Sequence, residues 1–260
     1  MNLSYVPLTE DLIEDATVTT STADADYPAT ELQTIPMGTT ARITDPGGGE
    51  LIKIDFGANV NPKFWSLLNT DISSGNPLIT SYTDAWITPD DTLQMVYRDR
   101  DMKAYKSGGW TPRRYFDINL NACAFSQAFA EAGKLIAALD ITTFSKGFAI
   151  GIGRGEGNRN IHNVTPSGVE YTHLLQERIG FLDINWEHIK EPLLPELLTF
   201  LRVTNGGGYP SIIIPDNDKV ELFYVKNKDR TNWDEGMARS IISNFKMQFK
   251  ELSRGKIQEG

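Results

Sequence analysis

The 260-residue sequence predicts a mainly β protein, α+β overall, in which a β sandwich or barrel is followed by a smaller α+β domain. Short apolar runs with period-two alternation, separated by turn residues, fill the first half of the chain. One stretch with helical spacing, flanked by alternating strands, lies in the second half. This pattern places one helix on an antiparallel sheet after a domain boundary near 140–147.

The clearest strand of the first half is ELIKIDFG. Ile52, Ile54 and Phe56 alternate there with Lys53 and Asp55, so that one face is buried and the other is wet. A Pro-Gly-Gly-Gly turn precedes this strand and a glycine follows it. Further strands are predicted for KFWSLLN (63–69), TLQMVYR (92–98) and RRYFDINLN (113–121).

The segment SQAFAEAGKLIAALD (126–140) is ambiguous from local pattern alone. Its alanines and leucines fit a helical stripe behind Ser126, which is a good N-cap residue. Gly133 in the middle argues against this, because a mid-helix glycine costs about 1 kcal/mol. The local pattern nevertheless favours a helix.

The second half reads as strands around one helix. We expect strands at GVEYTHLL and RIGFLDINW, with a turn at Gln176–Glu177 between them. KEPLLPELLTFLRV has leucines at helical spacing, prolines suited to a first turn, and Asn205-Gly206 as a C-terminal stop. Strands at YPSIIIPD, VELFYVKN and NFKMQFKEL complete this part.

Charge and composition exclude several classes of function. The net charge of −9 argues against nucleic acid or an anionic membrane surface as a partner. A single cysteine, Cys123, excludes an intramolecular disulfide framework. We find no leader segment and no apolar run of the ~18 residues that a spanning helix needs, so we expect a soluble protein.

The glycine run FAIGIGRGEGN (148–158) raises the question of a cofactor site. A single residue separates each glycine of this run from the next, whereas the dinucleotide fingerprint has the spacing G-x-G-x-x-G and opens a helix. The Walker pattern is also absent, so we expect no cofactor. We predict instead that 148–152 begins the second domain and that 154–166 is a loop, open to protease until a neighbouring subunit covers it.

Metal and catalytic sites have little support. The three histidines do not form H-E-x-x-H, and no G-x-S-x-G elbow is present. The acidic loops at 24–26 and 216–218 leave calcium open, although turn formation by Asp and Asn is the preferred interpretation. We expect no metal and no catalytic residues, and we keep a two-carboxylate hydrolase as a third possibility.

Aromatic and basic side chains in loops are the candidates for surface interaction. Exposed tryptophans on a sandwich can stack on sugar rings, whereas Trp65 lies in an apolar strand and fits a core. The candidate residues are Trp86, Trp110, Arg113, Arg114, Arg154 and Trp233.

Four parts of the first half together resemble a known family. They are the threonine-rich strand before DADYPATEL, the strand ELIKIDFG, FWSLLN with its terminal Asn69, and RRYFDINLN. They resemble the discoidin-like, galactose-binding-type jelly roll of bacteriophage structural proteins. A strand of the form a-G-[RK]-L closes that domain, and AEAGKLIAAL matches it. The resemblance implies a jelly roll over 1–142 and a strand over 127–139.

The second half resembles the C-terminal half of the same phage proteins. Ser167-Gly168 would open a hairpin, a helix would follow, then GGGYPSIIIPD and a last strand ending in FKEL. This layout is similar to the tail-tube-type fold of rings at the tail tip, and it implies an assembly domain over 143–260.

The resemblance implies a non-enzymatic structural protein of a phage tail, made in the host cytoplasm and located in the virion. Its partners would be other tail proteins and further copies of itself in a cyclic homo-oligomer. The alternative is a glycan-binding module on the virion that recognises a host polysaccharide. No sugar-site residue of the lectin relatives can be carried over to this chain.

Overall fold

The computed structural model describes residues 3–21, 24–34, 40–43, 51–98, 101–127, 129–145, 152–164, 170–189, 193–206, 208–215, 222–227 and 242–252. The chain forms two compact units. The sandwich unit consists mainly of Glu10–Thr142, and the sheet unit combines Met1–Thr9 with Thr143–Asn217 and Phe223–Ser253.

Twenty strands and one α-helix make up the described structure. In chain order they are β1 (Ser4–Pro7), β2 (Thr17–Thr20), β3 (Ala41–Ile43), β4 (Leu51–Val60), β5 (Phe64–Leu68), β6 (Ile72–Ser74), β7 (Leu78–Tyr82), β8 (Pro89–Gln94), β9 (Val96–Arg98), β10 (Asp101–Tyr105), β11 (Arg113–Asn119), β12 (Ala124–Phe125), β13 (Ala130–Ala132), β14 (Lys134–Ala138), β15 (Thr142–Thr143), β16 (Ile152–Val164), β17 (Glu170–Ile189), α1 (Leu193–Val203), β18 (Ser211–Ile214), β19 (Phe223–Asn227) and β20 (Ile242–Glu251).

The sandwich unit is built from two main antiparallel sheets. One has the order β2-β4-β11-β7-β8 and the other the order β14-β5-β10-β9. Their inner faces share one core, because alternate side chains of each strand point inward. Ile54 and Phe116 contribute from the first sheet, and Trp65 and Leu135 from the second.

Aromatic rings form the centre of this core. Phe116 lies between Trp65, at 5.3 Å between ring centroids, and Trp110, at 5.5 Å. Phe56 meets both Trp65 and Phe116 edge to face. Rings in such tilted and T-shaped pairs gain about 0.5–1.5 kcal/mol beyond the burial of their area.

A buried ion pair holds the closing strand β14 to the start of the unit. Lys134 Nζ lies 3.3 Å from Asp11 Oδ2, and neither side chain is exposed to solvent. The backbone N–H groups of Ile13 and Ala137 donate to Asp11 Oδ1. The carboxylate therefore joins two distant parts of the chain.

The sheet unit has a single seven-stranded sheet of order β15-β1-β18-β19-β20-β17-β16. Helix α1 packs on it through Leu197 and Phe200, which are buried together with Tyr5 of β1. The helix ends where Asn205 and Gly206 both take positive φ, the conformation that favours Asn and Gly after a helix.

The predicted fold class is confirmed: the protein is mainly β, its sheets are antiparallel, and it has one α-helix in the described residues. The helix lies where its leucine spacing placed it. Segment 127–139 forms β13 and β14, as the resemblance implied and against the local helical pattern.

Three expectations differ from the structure. The predicted loop at 154–166 is wrong over most of its length, because β16 runs to Val164 and pairs with β17 through a backbone ladder that glycine can join. The turn at Gln176–Glu177 is wrong, because β17 continues through it. Residues 1–9 group with the sheet unit and not with 10–142, because β1 pairs with β18.

Candidate functional site

The structure brings together three of the six candidate residues. Trp86, Arg113 and Arg114 lie at one end of the five-stranded sheet, in the β7–β8 connection and at the start of β11. Trp110 is only 4% exposed and belongs to the core, so the expectation that it binds at the surface is wrong. Arg154 lies in β16, and Trp233 lies outside the described residues.

The outer face of the five-stranded sheet carries polar and aromatic side chains in register. Tyr115 of β11 is opposite Asp55 of β4 on one side and Tyr82 of β7 on the other. Two residues further along β11, Asp117 is opposite Lys53 of β4. Because the residues between them point into the core, these five share the opposite face.

The indole of Trp86 lies on this outer face. Its ring centroid is 4.8 Å from that of Tyr115, and Lys53 Nζ is 5.5 Å from the indole. Trp86 Nε1 donates a hydrogen bond of 2.9 Å to the carbonyl oxygen of Phe116. These contacts fix the indole over β11 while leaving the residue partly exposed. We define the Trp86 face as Lys53, Asp55, Tyr82, Trp86, Arg114, Tyr115 and Asp117.

The backbone of Trp86 is strained. Its φ is +58°, in the left-handed region that bulky residues avoid at a cost of about 1–2 kcal/mol. Asp84 imposes this conformation: its carboxylate accepts the N–H of Ile87 and both the N–H and the hydroxyl of Thr88. Strain held this way in an accessible loop is a recognised mark of a functional position.

A bulge in β4 brings Arg114 to the same face. Arg113 is opposite Val60 and Tyr115 is opposite Asp55, so the extra residues of the register shift lie in β4, and Arg114 departs from the simple alternation. Its Nε and Nη2 donate to the two oxygens of Asp55, at 2.6 and 2.7 Å. Hydrogen bonding from Arg114 lowers the pKa of Asp55, which keeps this carboxylate ionised at neutral pH.

Asp117 is the buried acid of the face. It is 1% exposed, and Tyr82 Oη donates to its Oδ2 at 2.5 Å. Burial raises the pKa of Asp117, and the opposing effects of the Tyr82 and Thr80 hydroxyls and of Lys53 are smaller. Burial and this hydrogen bond also raise the pKa of Tyr82. The hydrogen bond between Tyr82 and Asp117 therefore stabilises the arrangement of side chains on the Trp86 face.

An ion pair lies beside the Trp86 face, where Arg113 Nε donates to Asp90 Oδ2 at 2.9 Å. Ile87, at the tip of the loop, is 76% exposed. The surface thus combines rigid aromatic rings with paired charges.

A second cluster of polar side chains, around Arg42, is occupied by its own internal contacts. The Arg42 guanidinium lies 4.0 Å from the rings of both Tyr27 and Phe129, and its Nε and Nη2 donate to Glu131 Oε1. Asp71 accepts the backbone N–H of Glu131, and burial is the main cause that raises the pKa of Asp71 to about 6. The adjoining cavity of about 10 Å³ has room for no more than about one water molecule, so we assign this cluster to structure.

Among the described residues, no group of three or more His, Cys, Asp or Glu side chains could hold a metal ion. The same part of the chain has no helix long and apolar enough to cross a membrane. Cys123 is half-buried with a pKa that burial raises to about 11, which keeps its thiol protonated and unreactive at neutral pH.

Sequence reasoning missed five members of the Trp86 face: Lys53, Asp55, Tyr82, Tyr115 and Asp117. The alternation in ELIKIDFG and RRYFDINLN put Lys53, Asp55 and Asp117 on wet faces. That signal shows which side of a strand is polar, whereas it does not show which strands are neighbours.

No protein-family model and no curated protein matches this chain. The chain is similar to solved carbohydrate-binding jelly-roll structures. The lectin domain of Lectinolysin, complexed with Lewis B antigen, has 10% identity and a TM-score of 0.40 over 50% of this chain and 96% of that one. The family 32 carbohydrate-binding module of C. perfringens NanJ, in complex with galactose, has 12% identity and a TM-score of 0.38 over 52% and 98%. A GH29 fucosidase from Ruminococcus gnavus is matched over 27% of its length, with 14% identity and a TM-score of 0.41.

Proposed function

We propose that the sandwich unit is a glycan-binding module and that the Trp86 face contacts the sugar. The observation that carries this proposal is Trp86 itself, a partly exposed indole kept in a strained conformation by Asp84. A chain tolerates such a cost where the surrounding structure over-determines it and the side chain has a use. A pre-positioned aromatic ring beside polar groups is what a pyranose needs, with its apolar C–H face and its ring of hydroxyls.

The same face is unsuited to hydrolysis. Asp55 is engaged by both donors of Arg114, and Asp117 is 1% exposed beneath a tyrosine hydroxyl. A glycosidase needs two carboxyl groups that both reach the scissile bond. A binding role without catalysis fits these carboxylates better.

Tryptophan fluorescence during titration with host-surface polysaccharides tests the glycan proposal. We expect a saturable shift in the wild-type protein and its loss in Trp86→Ala. Tyr209→Ala is the matched control, because Tyr209 is a 51% exposed aromatic residue of the sheet unit. Arg114→Met provides a second variant should Trp86→Ala misfold. Unchanged binding in both face variants would refute the assignment.

A second candidate is the structural role in a phage tail, and one observation of the sheet unit favours it. Strand β16, 13 residues long, is the last strand of the seven-stranded sheet in the described part of the chain. A long edge strand offers unpaired N–H and C=O groups to another chain. Pairing along it would build the expected cyclic homo-oligomer, joined to other tail proteins in the virion.

This second role predicts a defined oligomer by native mass spectrometry and stoichiometric incorporation of the protein into particles. Removal of the gene should yield particles without a normal tail end. Normal, infectious tails in its absence would contradict the structural role. Such a result would leave glycan binding by the sandwich unit intact.

A further inference from the structure

Arg114 has the properties of a group that recognises anions. It is the basic side chain nearest the rings of the Trp86 face, with Cζ 5.0 Å from the Tyr115 ring centroid, and 42% of its side chain is exposed. A guanidinium next to an aromatic ring commonly binds carboxylate, sulfate or phosphate through two parallel hydrogen bonds. In this protein, however, Asp55 already occupies that fork.

We propose that Asp55 is the specificity-determining residue of the Trp86 face: by holding Arg114 in a two-hydrogen-bond ion pair, it selects uncharged sugars over carboxylated or sulfated ones. This inference rests on the proposed glycan-binding function and adds the chemical class of its ligand.

The other cations near the face are placed differently from Arg114. Arg113 pairs with Asp90, and Lys53 lies on the strand beside Asp117 with its Nζ 5.5 Å from the Trp86 ring. An anionic sugar that binds Arg114 would have to break the Arg114–Asp55 ion pair and leave the Asp55 carboxylate unpaired beside it. Like charges placed together in an interface disfavour binding.

An uncharged sugar meets no such obstacle. A hydroxyl group both donates and accepts, so it can accept from the remaining N–H groups of Arg114 and donate to the remaining lone pairs of Asp55. The ion pair then stays intact while the sugar contacts it. The C–H face of the pyranose can lie against the electron-rich indole of Trp86 at the same time.

Asp55→Asn is the informative variant. Asp55 Oδ1 also accepts the N–H of Gly57 at 2.8 Å, and an asparagine carbonyl can keep that bond while releasing the guanidinium. Asp90→Asn is the matched control, because it removes one negative charge beside the face and frees Arg113 in the same way. Only Asp55→Asn should change ligand selectivity.

The experiment measures dissociation constants for neutral oligosaccharides and their C6-carboxylated counterparts. We expect wild-type protein to bind a neutral member at least about tenfold more tightly than its carboxylated form, a difference of about 1.4 kcal/mol. Asp55→Asn should remove or invert this preference, and Asp90→Asn should keep it. Binding of the carboxylated sugar by the Asp55→Asn variant should weaken as salt rises from about 20 mM to about 300 mM, because the new charged contact is screened.

Three outcomes would overturn the inference: wild-type preference for the carboxylated sugar, an unchanged ratio in Asp55→Asn, or an equal shift in Asp90→Asn. The last would show that overall charge, and not the Arg114 pair, controls selectivity. Each of them leaves glycan binding itself in place. If wild-type protein binds no member of either series, the proposed function fails and this inference fails with it.

Discussion

The buried pair of Lys134 and Asp11 gives the sharpest stability prediction. Replacing Lys134 by Met keeps the length of the side chain and removes its charge, so the Asp11 carboxylate is left buried without a cation. Removing one partner of a buried pair costs about 3–5 kcal/mol. We expect a loss of this size in the free energy of unfolding at pH 7.

This loss should depend on pH in a defined direction. Burial raises the folded-state pKa of Asp11 to about 6, and Lys134 is the strongest influence that lowers it. Between about pH 4 and 6 the folded protein therefore binds more protons at Asp11 than the unfolded chain does, and the contribution of Asp11 to stability falls as pH rises. Without Lys134 this window extends to higher pH. The deficit of Lys134→Met should thus be smaller at pH 5 than at pH 7, by about 1–2 kcal/mol.

Urea unfolding followed by tryptophan fluorescence at both pH values measures this effect, since Trp65 lies in the core of the same unit. Lys63→Met is the matched control. Lys63 forms an exposed pair with Asp140, and its loss should shift the midpoint far less. Equal midpoints for Lys134→Met and wild type at pH 7, or a deficit that does not change between the two pH values, would refute the reasoning.

Three further substitutions test other parts of the fold. Gly75→Ala should destabilise by about 2 kcal/mol or more, because φ is +90° and the new Cβ would overlap the carbonyl oxygen of Ala122; an unchanged melting temperature would contradict this. Arg42→Lys should lower the free energy of unfolding by about 1–3 kcal/mol, because lysine cannot reproduce the two hydrogen bonds to Glu131 or the stacking on two rings. Calorimetry measures this loss, and a stability equal to wild type would count against a stabilising role of these contacts. Phe200→Ala should lower the free energy of unfolding of the sheet unit by about 3–5 kcal/mol. Hydrogen exchange measures this as faster exchange of the backbone amides of β18 and β20. Unchanged protection of these amides in the variant would argue against a shared core.

Local periodicity predicted the elements that bury one face. The alternation at Ile52 and Ile54 and the leucine spacing of α1 both reflect burial of alternate or helical positions, and both elements formed as expected. Segment 127–139 shows where that signal fails. Gly133 lies between β13 and β14, where an added Cβ would approach Asn69 of a distant segment to 3.1 Å, and no local pattern contains such a contact between distant parts of the chain.

The candidate site was predicted only in part for the same reason. Trp86 and Trp110 both follow loop residues, and sequence alone does not tell that one ring lies over a sheet and the other enters the core. Arg114 and Asp55 are 59 positions apart and meet through a bulge, which alternation cannot anticipate. The glycine-rich sequence of β16 predicts a loop, whereas the structure has a strand, because a backbone ladder needs no side-chain pattern.

The placement of β1 bears on how the chain can be assembled and rearranged. Ser4 Oγ lies 2.6 Å from Thr143 Oγ1, and the N–H of Phe144 donates to the carbonyl of Leu3 at 3.0 Å. The segments around β1 and β15 therefore run antiparallel, as the two strands of a hairpin do. In the chain, the sandwich unit takes the place of the loop that would connect them. During synthesis β1 must wait for β18, by which time the inserted unit has been made in full. We therefore expect that a short turn in place of the sandwich unit leaves the seven-stranded sheet able to close, and that the same point of the chain accepts a different domain.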